Sequence, residues 1–352
     1  MKSIKINGRS IGKEYPPYII AEMSGNHNQS LEKALNIVRL AAEAGVDAIK
    51  LQTYTADTMT FPGVWEVESG SLWEKRELYD LYKEAHTPWE WHKQIFNYAK
   101  ELGLTAFSSP FDETSVDFLE TLHVPAYKIA SFENSDIPLL KKVASTKKPV
   151  ILSIGVATLA TIDEAFRTLK ENGTTEIILL KCTSTYPATA ENSNIITIPH
   201  LEKLFDVVVG LSDHTLGIGT SVGAVALGAS VIEKHFTDDR TLGGVDSAFS
   251  LEPNELSSLV REAKQAFYSL GTIQYGVQEI EKQSFKYKRS IYCIVDLNNG
   301  DVISENNIKV LRPGLGLEPK FYDIVIGKKV NQDIPKGTPL QWNHFLLSNE
   351  SD

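Results

Sequence analysis

Residues 207–214 read VVVGLSDH and residues 231–236 read VIEKHF. Each is a short apolar run, rich in the branched residues that favour strands, with a histidine at or near its end. Six further runs have the same texture: YIIAEMS (18–24), AIKLQTY (48–54), TAFSSP (105–110), AYKIAS (126–131), PVILSIG (149–155) and EIILLKCT (176–183). Segments of helical periodicity, such as LEKALNIVRLAAEAG and SVDFLETLH, lie between them. Eight strands, each followed by a helix or crossover, predict an α/β fold of the (β/α)8 barrel type. An open doubly wound sheet is the alternative, against which stands the lack of a glycine-rich phosphate turn after the first strand. IKINGRSIG (4–12) predicts a small hairpin turning at Asn7-Gly8, where both central residues need positive φ.

The 352 residues accommodate this barrel over 1–268, a linker over 269–288 and a small β-rich domain over 289–352. The last is predicted from short β-like runs separated by NNGD, RPGLGLEP and IPKG. The aromatic-rich interval between Tyr54 and Thr105 is too long for one plain crossover. It predicts an elaborated loop and helix over the top of the barrel.

With 42% hydrophobic and 23% charged residues the composition is that of an ordinary globular protein. A formal net charge of −10 speaks against a nucleic-acid binder, so an anionic substrate must be held by a local cluster of cations. Two cysteines, Cys182 and Cys293, make no disulfide framework and suit a reducing cytoplasm. The polar start lacks a signal-peptide core, and no run of about 18 apolar residues suggests a membrane span.

In a barrel the carboxyl ends of the strands share one pocket. Those ends carry Glu22, Lys50 with Gln52, Ser108-Ser109, Lys128 with Ser131, Ser153, Thr183-Ser184, Asp213-His214, and Glu233 with His235. Any one of them could be a solvated strand end; eight together point to a site. Lys50 and Lys128 lie within apolar strands and need an anion: a bound phosphate or carboxylate, or a carboxylate such as Glu22 or Glu133. The seventh and eighth strands are neighbours, so His214 and His235 are placed either as two satisfied core histidines or as ligands of one shared divalent ion. Asp213 points the other way on a regular strand and is a weak third ligand.

The motifs IIAEMSGNHNQSLEKA (19–34), DAIKLQTYTADTMT (47–60), FSSPFDETSVDFLE (107–120), YKIASFE (127–133), KCTSTYP (181–187), GLSDHT (210–215) and VIEKHF together resemble the sialic acid synthase family. RPGLGLEPKFYDIVIGKKVNQDIPKGTPL (312–340) resembles that family's antifreeze-like (SAF) domain. LWEKRELYDLYKEAHTPWEWH (72–92), KCTSTYPA and VDSAFSL (245–251) look like its pseudaminic acid synthase branch.

The resemblance implies condensation of phosphoenolpyruvate with an open-chain amino-sugar aldehyde, giving a nine-carbon keto acid and phosphate. It implies that Lys50, Ser109, Lys128, Ser131, Ser153 and Ser212 hold phosphoenolpyruvate. His214 and His235 would bind manganese, with magnesium or cobalt as alternatives, and Glu22 would contact a sugar hydroxyl and transfer a proton. Gln52, Glu133, Ser184, Tyr186 and Asp246 fall on the sugar side. Arg312 would reach into the partner's site of a homodimer, whose C-terminal domains act as lids.

Ser184 and Ser247 stand where the N-acetylneuraminate branch has asparagine and histidine. The shorter, less polar wall suits a 2,4-diacetamido-2,4,6-trideoxy sugar, with fewer hydroxyls and more bulk, better than N-acetylmannosamine. An N-acetylneuraminate or legionaminate synthase with the same chemistry is the alternative. A metal-dependent barrel aldolase or hydrolase, and an ice- or glycan-binding module, are the rival readings.

Overall fold

The structure, a computed structural model, describes residues 3–70 and 72–345. Residues 1–2 and Ser71 of the expected barrel, and 346–352 of the expected tail domain, lie outside the described residues. The chain divides after Gly271 into two compact units.

The first unit opens with the hairpin β1 (Ile4–Ile6) and β2 (Arg9–Ile11). It turns at Asn7 and Gly8, with φ of 48° and 81°. Eight parallel strands follow: β3 (Tyr18–Glu22), β4 (Ala48–Thr53), β5 (Thr105–Pro110), β6 (Tyr127–Ile129), β7 (Val150–Ser153), β8 (Ile177–Cys182), β9 (Val208–Asp213) and β10 (Val231–His235). Because β10 pairs with both β9 and β3, the sheet closes into a barrel and the open-sheet alternative falls. The strand after Ala126 is shorter than the sequence predicts. Asp136 caps the helix Ile137–Ser145, so the chain turns at Ser131–Glu133 soon after Lys128 is placed.

Both faces of every strand are covered, which is why the strands read as continuous apolar runs. Outward residues such as Ile19, Ile49, Leu152, Leu179, Val209 and Ile232 pack beneath the helices. Inward residues of the lower barrel, among them Ile20, Phe107, Ile151 and Ile178, form a second core. Ile4, Ile6 and Ile11 of the hairpin join that core and plug the amino-terminal end. Each fully buried aliphatic side chain contributes about 1.5–3 kcal/mol. Gly210 permits the closest approach in this layer, since a Cβ there would lie 2.3 Å from the Val231 carbonyl oxygen. The two histidine-bearing strands thus meet over a residue without a side chain.

Between β4 and β5 the chain forms helices at Ala56–Met59, Leu78–Ala85 and Trp89–Glu101. Ahead of the second lies a hairpin-like excursion, closed by a bridge between Glu66 and Glu77 and by the Val67 N–H to Arg76 carbonyl bond of 2.9 Å.

The second unit contains β11 (Ser290–Cys293) and β12 (Ile308–Leu311), paired antiparallel. Isolated bridges, Leu297 with Ile334 and Val302 with Lys329, do the work of further strands. Its core gathers Ile291, Ile303, Ile308, Val325, Val330 and Leu340. Segment 269–288 is mostly irregular after Ser269, with one short helical stretch at 279–285. Among the described residues no helix is long and apolar enough to cross a membrane.

Candidate active site

Above the apolar lower layer, the inward positions of the barrel change character. Glu22, Lys50, Ser109, Lys128, Ser153, Ser212, His214, Glu233 and His235 are all buried at the carboxyl-terminal end. Period-two alternation puts these side chains inside while their neighbours face the helices. Ser108 is one such neighbour, bonded to Thr53 outside the barrel wall at 2.6 Å. Asp213 is another: it bonds Lys234 Nζ at 2.9 Å and Ser221 Oγ at 2.6 Å, away from the pocket.

The two lysines share carboxylate partners. Lys50 Nζ lies 2.7 Å from Glu22 Oε2 and 3.6 Å from Glu233 Oε1, and donates to Ser109 Oγ at 3.2 Å. Lys128 Nζ lies 3.4 Å from the same Glu233 oxygen, to which Ser212 also donates at 3.3 Å. Glu233 therefore ties both cations and one hydroxyl together.

Burial favours neutral Lys50, but Glu22 and Glu233 outweigh it and raise its pKa. Lys128 is held below the ordinary lysine range by burial and by Lys50, against the pull of Glu233. Burial lifts Glu22 above the usual carboxylate range despite Lys50, with Glu233 adding to the rise. Glu233 itself goes down, because Lys128 and Lys50 overcome its burial.

Beside this cradle, Ser131 Oγ accepts the Gly155 N–H at 3.2 Å, and Ser153 Oγ is buried without a partner. Gly155 is a requirement here: a Cβ would fall 2.2 Å from Ser184 Oγ and 2.6 Å from Ser131 Oγ. Glu133 closes the 3-10 turn with its Oε2 buried and unpartnered, and burial lifts its pKa to about 7. Gln52 donates to Glu22 at 2.9 Å and to Ser24 Oγ at 3.0 Å; Ser24 in turn donates to Asp246. Burial lifts Asp246 to about 6, the nearby Glu22 adding to the rise.

The rings of His214 and His235 face one another with centroids 5.3 Å apart. His214 Nδ1 donates to the Thr183 carbonyl at 3.0 Å, which leaves Nε2 as the other ring nitrogen; burial favours the neutral ring, but the Cys182 sulfur and that carbonyl outweigh it and raise the pKa. His235 Nδ1 is buried without a hydrogen-bond partner, 3.7 Å from Asp246 Oδ2. Burial, then His214 and Lys50, hold His235 well below the usual imidazole range, so it is neutral. Two oriented imidazoles, one with an orphaned nitrogen, fit a divalent cation. Among the described residues no group of three or more His, Cys, Asp or Glu is placed to hold a metal. Such an ion would keep positions open for substrate.

The Tyr186 ring lies tilted against this pair, its centroid 4.5 Å from that of His214, and the Phe249 centroid lies 4.9 Å from that of His235. Every sequence-predicted site residue of the first unit thus stands at one barrel mouth; Arg312 belongs to the second unit. Residues 37–275 match the NeuB family and residues 288–346 match the SAF domain.

The chain belongs to the NeuB family.

A pseudaminic acid synthase of Campylobacter jejuni is 44% identical over 93% of this chain and 96% of its own length. An N,N'-diacetyllegionaminic acid synthase of Legionella pneumophila is 37% identical over 97% of this chain and 98% of its own. A crystal structure of N-acetylneuraminic acid synthetase from Leptospira borgpetersenii, in complex with citrate, superposes with a TM-score of 0.73. It is 32% identical and covers 81% of this chain and 96% of that one. This NeuB-family member thus carries the TIM-barrel synthase fold with a SAF tail, and its likeness to a pseudaminic acid synthase exceeds that to the legionaminic one.

Sequence reasoning missed two NeuB-site groups. Glu233 was read as a strand-end residue sharing a face with His235, without the role of counter-ion to both lysines. Cys182, inward on β8 with Sγ 3.6 Å from Ser184 Oγ, was read only for redox compartment. The alternation IILLKC carried the signal for it.

Proposed function

We propose that this chain is a pseudaminic acid synthase. It condenses phosphoenolpyruvate with a 2,4-diacetamido-2,4,6-trideoxy-altrose-type aldehyde and water, giving a nine-carbon nonulosonic acid and phosphate. The observation that carries the reading is the pair of buried lysines, set among buried serines at the same barrel mouth as two imidazoles whose centroids lie 5.3 Å apart.

Lys50 and Lys128, with Ser109, Ser131, Ser153 and Ser212, hold the carboxylate and phosphate of phosphoenolpyruvate. Glu22 and Glu233 keep the ammonium groups oriented before substrate arrives, so little reorganisation is needed when the anion binds. His214 and His235 would hold a divalent ion, manganese by preference, which would supply Lewis-acid polarisation of the aldehyde oxygen. The C3 carbon of the enol attacks the aldehyde carbon and the double-bond electrons form the new C–C bond. Cationic character left at C2 is captured by water, whose proton leaves through a neighbouring base. The resulting adduct expels phosphate by breaking its C–O bond. Glu22, with its raised pKa, is suited to transferring a proton to the former aldehyde oxygen. Gln52, Glu133, Ser184, Tyr186 and Asp246 line the acceptor side.

Incubating purified protein with phosphoenolpyruvate and each of three aldehydes tests this. Phosphate release is expected only when both substrates are present. It should be fastest with the trideoxy diacetamido sugar, slower with the legionaminate precursor and slowest with N-acetylmannosamine. Phosphate release without any sugar would indicate a hydrolase, and preference for N-acetylmannosamine would refute the branch.

We further propose a homodimer in the cytoplasm, with Arg312 of each chain contacting the sugar in its partner's site. Supporting it, Ile273, Tyr275 and Ile280 of the connecting segment are 92%, 93% and 86% exposed in the single chain, apolar surface that a second copy would cover. Sedimentation is expected at twice 39.1 kDa. A monomeric, fully active protein would sink the shared lid.

A further inference from the structure

The sugar-side wall contains a residue from the branch-marking stretch 72–92. Trp73 sits at the turn of the excursion between Glu66 and Glu77. The Arg76 N–H to Trp73 carbonyl bond of 3.2 Å and the Lys75 N–H to Val67 carbonyl bond of 3.0 Å fix that turn. From there the indole reaches across the barrel mouth. Its ring lies 5.8 Å from that of Tyr186 and 6.5 Å from that of Phe249. Those two rings are the ones that touch His214 and His235. An aromatic wall therefore runs from the histidine pair out to the excursion, built from three separate loops.

The polar handle of the indole is already used. Trp73 Nε1–H donates to the Val245 carbonyl at 2.7 Å, which sets the ring plane and leaves no donor for a ligand. Phe249 has no polar atom, and the neighbouring Ser184 is short and turned to the Cys182 sulfur. A sugar carbon facing this wall meets π-faces and C–H edges. Apart from the Tyr186 phenol, which can meet only a group beside it, a hydroxyl against the Trp73 and Phe249 rings would lose its water without gaining a partner, whereas a methyl or the methyl of an acetamido group would gain contact. Rejection of an added hydroxyl by an apolar wall is modest, on the order of a hundred-fold at most.

We propose that Trp73 is a specificity-determining residue that selects acceptor sugars presenting a deoxygenated, methyl-bearing face and disfavours those with a hydroxyl in that position. The inference rests on the synthase reading above and deepens it by assigning the choice of acceptor to one side chain.

The test compares wild type, Trp73→Ala and Trp73→Phe, each with phosphoenolpyruvate and the divalent ion present. The acceptors are the trideoxy diacetamido sugar and N-acetylmannosamine. Trp73→Ala is expected to lower kcat/KM for the trideoxy sugar about thirty-fold, chiefly through KM, and for N-acetylmannosamine by less than about three-fold. The KM for phosphoenolpyruvate should stay unchanged, and Trp73→Phe should recover most of the selectivity. Equal losses on both acceptors, or a shifted KM for phosphoenolpyruvate, would make Trp73 a structural residue and overturn the proposal. Loss of the thermal unfolding transition in Trp73→Ala would leave Trp73→Phe as the deciding variant, with an unchanged acceptor ratio against Trp73→Val as the refuting result. Wild-type preference for N-acetylmannosamine would show in the first assay and would sink the acceptor assignment itself, before any variant is compared.

Discussion

Replacing His235 with alanine is expected to cut turnover about a thousand-fold and to abolish manganese binding in titration calorimetry. A Lewis acid at a developing negative charge supplies several kcal/mol, and about 4 kcal/mol corresponds to that factor. Affinity for phosphoenolpyruvate should change by less than about three-fold, because the lysine and serine cradle lies below the imidazoles and keeps its own ion pairs. Chelation of wild-type protein should reproduce the loss, and added manganese should reverse it. A chelated enzyme that turns over undiminished would remove the ion from the reaction. A His235→Ala protein that still binds manganese as tightly would move the ion elsewhere.

Lys50→Met should be the other severe change, and it acts on two properties at once. Binding of phosphoenolpyruvate is expected to weaken about a hundred-fold or more, as a fully buried cation that faces the anion is lost. Stability should fall by about 3–5 kcal/mol, since Glu22 loses a 2.7 Å partner and Glu233 one of its two cations. A Glu22→Gln, Lys50→Met double variant separates the two effects. Removing the stranded carboxylate should restore part of the stability in urea unfolding and none of the affinity. Unchanged affinity in the single variant would exclude Lys50 from the anion site.

The barrel was legible because all eight strands are parallel and covered on both sides, so each appears as a mainly apolar run with its polar side chains gathered toward the carboxyl end. The lysines were legible for the same reason, as charges that interrupt strands. The place of Glu233 was not. Its partners sit on β4 and β6, and which carboxylate faces which ammonium across a closed barrel depends on tilt and stagger rather than on spacing. Trp73 was equally hidden: it arrives from an excursion without helical or strand period, and its meeting with Tyr186 and Phe249 is set by loop geometry alone. The tail was legible as a small β-rich domain from its short runs between turn-forming sequences; that isolated bridges beside one paired ladder hold it was not, because such pairings depend on loop geometry.

Asp213 and Lys234 immediately precede His214 and His235, and they are joined on the reverse face of the sheet. Lys234 is wholly enclosed and also reaches the Thr215 carbonyl, while Ser221 of the following helix anchors the carboxylate. The jaw that spaces the two imidazoles is thus clamped from behind the barrel wall. The spacing of the two imidazoles, and with it the affinity of the proposed ion site, is thereby open to substitutions in the helical layer that never meet a ligand.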